Sequence, residues 1–146
     1  MALNPKFSTG FRTQLLNAQD MTSMFDGVNS NMLIYSGSQP SDADQVPGAG
    51  TILAEITIPT TNAFEATAVA GVINKTGTWE ETSAIAAGTA AWFRLSEDDT
   101  DTTLSTTLVR LDGTVGTSAS DLVIASVAID ATDPITIDTF SITVNA

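Results

Sequence analysis

Residues 88–103 read GTAAWFRLSEDDTDTT. Trp92, Phe93, Arg94 and Leu95 run directly into four acids, Glu97, Asp98, Asp99 and Asp101. The apolar half, residues 89–95, has the aromatic content that suits a pleated, half-buried surface. It reads as the central strand of a β-domain. The acidic half is either a wet tip between two strands or a cation site. A calcium loop needs oxygen ligands at regular spacing and usually a glycine for its sharp turn. The run Asp99-Thr100-Asp101-Thr102-Thr103-Leu104 has no such glycine. Glu97, Asp99 and Asp101 would share a side only on an extended chain, and crowded carboxylates repel. A solvated hairpin tip with no bound metal is the expectation.

Strands are predicted on either side. Residues 104–111, LSTTLVRL, would follow, with a turn at Asp112-Gly113. If these two strands form a hairpin, Arg94 and Arg110 could face one side, each in a structural charge pair, because an unpaired interior guanidinium is costly. Upstream, TILAEITIP (51–59) alternates, with Ile52, Ala54, Ile56 and Ile58 on one face. NMLIYSG is a short strand. The stretch SGSQPSDADQVPGAG after it is a long turn-rich loop. A strand is expected over 68–74, with a turn at Lys75-Thr76-Gly77. LVIASVAI reads as a strand apolar on both faces. ITIDTFSITV changes phase, and a bulge near Asp138-Thr139 would reconcile its halves. Seven or eight strands at this spacing imply a mainly β domain, a β-sandwich or jelly-roll-like fold with one N-terminal helix.

That helix is placed in FRTQLLNAQDMTSMFDG, where Phe11, Leu15, Ala18, Met21, Thr22 and Phe25 recur at three- and four-residue spacing. Ser8 or Thr9 would cap it and Gly27 would end it. Residues 1–9 read as an extended arm, and residues 10–146 as a single domain.

Composition narrows the function. The chain has 146 residues, 42% of them hydrophobic, enough for one real core. Its formal net charge is -12, with five Lys or Arg, which disfavours nucleic acid and anionic membranes. It has no Cys and no His, so thiol nucleophiles, disulfides, the usual zinc ligands and the commonest general base are missing. No phosphate-loop pattern is present, and nothing singles out a glycosidase carboxylate pair. The expectation is a protein without enzymatic activity and without a cofactor. Four residues stand out for contact with other polypeptides: Lys6 and Phe7 in the arm, Phe11 on the helix, and Trp79 beside Glu80 and Glu81. For Trp79 a core plug is the first reading and a surface anchor the second, since Trp serves both roles.

In order, NMLIYSGSQPSDADQ, LAEITI, GTAAWFRL and LDGTVGTSASDLVI resemble a class of small tailed-bacteriophage virion proteins over residues 11 to about 129. Tyr35, Gly37, Pro40, Trp92, Arg94, Gly113 and Gly116 carry the pattern. The acidic run SEDDTD replaces the family's Gly-containing turn. The resemblance implies a capsid decoration, or cement, protein located in the virion and assembled in the host cytoplasm. It would be a homo-oligomer, a trimer at three-fold lattice positions, bound to the major capsid protein or another virion protein. It implies packing and turn roles for the matched residues, with positive φ at Gly113 and Gly116. A tail, neck or fibre-associated protein is one alternative, and a calcium- or carbohydrate-binding adhesin module another.

Overall fold

The computed structural model describes residues 4–98 and 102–143. Asp99 and Asp101 lie outside the described residues. Of the acidic run, Glu97 belongs to the strand pairing: its Oε1 accepts from the Val109 N–H at 2.8 Å, and its own N–H donates to the Val109 carbonyl at 3.2 Å.

The Trp-Phe-Arg stretch is strand β7 (Trp92–Ser96), and it sits inside a large sheet. Its antiparallel neighbours are β2 (Asn31–Tyr35) and β8 (Arg110–Gly116). Beyond β2 come β3 (Ile52–Thr57), β5 (Glu80–Glu81) and β11 (Ile135–Thr136). Beyond β8 comes β1 (Lys6–Phe7), while β9 (Leu122–Val123) pairs with β8 in parallel. Two ribbons stand apart: β6 (Gly88–Thr89) with β10 (Ala128–Ile129), and β4 (Val72–Asn74) with β12 (Ser141–Thr143). Ribbon residues Ile73, Ile129 and Ile142 share one core with Phe11, Met24 and Phe25 of the helical segment and with Met32, Ile34, Phe93, Leu95 and Leu111 of the main sheet. The chain is mainly β, as its Thr, Val and Ile content implies.

The helical segment is two helices. Helix α1 (Thr9–Leu16) is capped by Ser8, whose Oγ accepts from the Phe11 N–H at 3.0 Å. Helix α2 (Met21–Phe25) is capped by Asp20. Ala18, at φ 60°, breaks the chain between them. Of the expected apolar stripe, Phe11, Met21 and Phe25 reach the core, joined by Met24, whereas Leu15 and Ala18, before and at the break, are exposed.

Register explains the other departures. Ile34 pairs with Ala54 but Tyr35 pairs with Ile52, so Leu53 is an extra residue in the ladder. Leu53 turns into the core, and Ile52 moves to the opposite face beside Tyr35 and Trp92. Asp112 and Gly113, expected in a turn, lie in the middle of β8. Gly113 and Gly116 do not have positive φ. Gly113 is needed because a Cβ there would sit 2.6 Å from the Phe93 ring. LVIASVAI breaks into β9 and β10. The phase change at Asp138-Thr139 is a jump between sheets, from β11 on the main sheet to β12 on the β4 ribbon.

Candidate functional site

The sheet has a second buried face. Arg94, Asp112, Ser96, Arg110 and Thr114 point away from the main core, together with Leu33, Tyr35 and Trp92. All are buried, with Arg94, Arg110 and Asp112 at 0% exposure, so the charges must be satisfied internally. Arg94 and Asp112 stand opposite each other on β7 and β8. They form a fork-to-fork pair, Nε to Oδ1 and Nη2 to Oδ2, both 2.8 Å. Burial raises the Asp112 pKa above the ordinary carboxylate value. The Arg94 hydrogen bond and charge, and then the charges of Arg110 and Lys6, oppose that rise without cancelling it.

The long loop between β2 and β3 covers this face. Arg110 donates Nη1 to the carbonyls of Ala43 (3.2 Å) and Asp44 (3.1 Å) and Nη2 to Thr103 (2.7 Å). Lys6 Nζ donates to the Pro40 carbonyl. The Asp44 carboxylate takes the N–H and hydroxyl of Thr9 at 2.7 and 2.6 Å, tying the loop to the start of α1. Tyr35 and Trp92 stack at 4.2 Å with their rings 6° apart, and the Arg94 guanidinium lies 5.8 Å from the Trp92 ring. Tyr35, Trp92 and Arg94 therefore meet on this face, while Pro40 belongs to the loop over it and is held by Lys6. Arg110, Lys6 and Thr9 tie the loop down, and Gly37 turns the chain into it at φ 79°.

The residues expected to touch partners separate in the structure. Trp79 is fully buried against Phe64 (T-shaped, 5.4 Å) and Phe140 (5.7 Å), and its Nε1 donates to the Thr76 carbonyl at 3.0 Å. That makes it the core plug. Phe11 is 3% exposed and also belongs to the core. Neither can anchor a surface contact. Lys6 and Phe7, expected in a free arm, form β1. Ser8 then ties the segment down, its N–H donating to the Arg110 carbonyl (3.1 Å) and its Oγ to the Leu108 carbonyl (2.8 Å). Arg110 takes loop carbonyls among its partners.

Of the four, Phe7 lines an open cleft. A cleft of about 390 Å³ lies between β1 and β12. Phe7, Phe93, Leu111, Phe140 and Ile142 make it apolar, and Ser120, Asp121, Ser141 and Thr143 complete its wall. A second depression shares Ser120, Asp121, Phe140 and Ser141 with it and reaches Asp138 and Lys75. Burial lowers the Lys75 pKa, opposed by the Asp138 charge. Nothing in the sequence marks this cleft except the phase change that sends the chain to β12. Among the described residues, no three acidic side chains gather in a way that could hold a metal ion. None of the described helices is long and apolar enough to cross a membrane. Comparison with protein-family models, curated proteins and solved structures finds no match.

Proposed function

We propose that this chain is a non-enzymatic structural protein of a phage particle, a capsid decoration protein that binds the outer shell as a symmetric oligomer, a trimer at three-fold positions. One observation carries the reading. The polar face that could have supplied chemistry is closed, with Arg94, Asp112 and Arg110 at 0% exposure and engaged in internal bonds, whereas the open cleft is apolar and flanked by strands. Apolar surface beside sheet edges is suited to holding polypeptide, not to transforming small molecules. Exposed Leu16 (88%) and Val28 (85%) add apolar surface outside the core.

The test adds purified protein to empty phage shells that lack decoration and follows co-sedimentation, with the solution mass measured in parallel. A species of three times 15.2 kDa that saturates the shells supports the reading. A strict monomer that leaves shells bare removes it. A few copies per particle, found with tail proteins, would move the protein to the tail or neck.

A further inference from the structure

The cleft between β1 and β12 is bounded by two strands that each have a partner on one side only among the described residues: β1 pairs with β8, and β12 with β4. The hydrogen-bonding phase shows where their other groups point. Ser8 N–H donates to Arg110 O, which makes 8/110, and two residues on 6/112, the bonded pairs. Phe7 therefore directs its N–H and C=O away from β8. Lys75 N–H donates to Phe140 O, so 140/75 and 142/73 are the bonded pairs of the ribbon. Ser141 and Thr143 direct theirs away from β4. Phe7, Ser141 and Thr143 all line the cleft.

Asp121 shows that the β1 edge of the sheet is tailored. Its Oδ2 accepts the N–H of Asn4 (2.9 Å), the N–H of Thr114 (2.8 Å) and the Thr114 hydroxyl (2.8 Å). A side chain replaces strand pairing there and ends β1. The slot beyond it has apolar side chains of Phe93, Leu111, Phe140 and Ile142 as its floor.

We propose that the seam between β1 and β12 is a strand-acceptor slot for an extended, alternately apolar and basic segment of a partner protein. A strand has period two, so one side would fill the apolar floor while the other faces out. The outward side meets a chain of net charge -12; Asp121 and Asp138 are among the residues lining the slot and its neighbouring depression, Lys75 is the one cation among them, and Lys6 of β1 is engaged by the Pro40 carbonyl. Basic residues complement it. The proposal rests on the reading of the chain as an assembly protein and names the surface that would engage the partner.

The probe is a short synthetic peptide alternating Val and Lys, titrated into the intact protein at low salt and followed by amide NMR and hydrogen exchange. Shifts and protection at Phe7, Ser141 and Thr143 are expected. The same peptide N-methylated along one edge should bind about tenfold or more weakly, since each lost bond is worth a few-fold. A Val/Glu peptide should be weakened comparably. Equal binding of all three, or no change at those amides, overturns the proposal. Ser141→Pro removes an outward N–H without removing a ladder bond to β4. If wild-type protein decorates shells and Ser141→Pro does so equally, the slot is wrong and decoration stands. If the peptide binds as described and shells stay bare, the slot stands and decoration fails.

Discussion

Arg94 and Asp112 give the sharpest test of how this fold is held together. Both are at 0% exposure and joined by two 2.8 Å bonds. Removing one partner of a buried pair leaves an uncompensated charge and costs about 3–5 kcal/mol. The two removals should differ. Asp112→Leu removes the carboxylate that forks onto buried Arg94, whose charge cannot be shed, and should cost the full amount. Arg94→Met leaves a carboxylate that can escape by taking a proton, so its cost should be smaller and pH-dependent. In the wild type the folded pKa of Asp112 already lies above the unfolded value. Folded protein therefore binds the proton more readily, and the Asp112 contribution to stability rises as pH falls through the folded pKa to the unfolded one. Loss of the Arg94 bond and charge pushes the pKa further up, so Arg94→Met should recover relative to wild type on acidification. The double variant Arg94→Met/Asp112→Leu should fall near wild type or exceed it by about 1–4 kcal/mol, because burial outweighs the pair's attraction. Urea unfolding of the four proteins near pH 7 and pH 5 gives all the terms. Additive single effects, with the double variant as unstable as their sum, would refute the reasoning. So would an Arg94→Met deficit that grows on acidification.

Other outcomes follow from single contacts. Gly113→Ala places a methyl 2.6 Å from the buried Phe93 ring and should cost about 1–3 kcal/mol by overpacking, seen as a lower urea midpoint. Ser8→Ala removes the α1 cap and the hydroxyl bond to Leu108 O, and should cost about 1–2 kcal/mol. Deleting residues 1–9 should lower the melting temperature, since β1 and Ser8 are built into the sheet; an unchanged melting curve would restore the free arm. Trp79→Ala should cost about 3–5 kcal/mol and loosen Phe64 and Phe140, measured by denaturation.

Local chemistry was legible in the sequence. Composition and period-two runs marked a mainly β chain, and Ser8, Phe11 and Phe25 marked the helical segment, because caps and periodicity act over a few residues. The buried role of Arg94 was visible from its apolar neighbours. What stayed hidden depends on partners distant in the chain. The bulge at Leu53 exists because β2 and β3 pair out of step. Asp112 reads as a turn before Gly113 until Arg94 supplies its counterion and the Phe93 ring claims the space a side chain would fill. Trp79 beside Glu80 and Glu81 reads as a core plug or a surface anchor, and only Phe64 and Phe140, brought from elsewhere in the chain, decide for burial. The cleft is the extreme case: Phe7 and Thr143 stand at opposite ends of the chain, and only sheet order brings their edges together. The sequence by itself determined that there would be strands, a capped helical turn and an acidic surface without imidazole or thiol. Tertiary structure alone decided which charges are buried and which edges are open, because burial and pairing belong to neighbours in space.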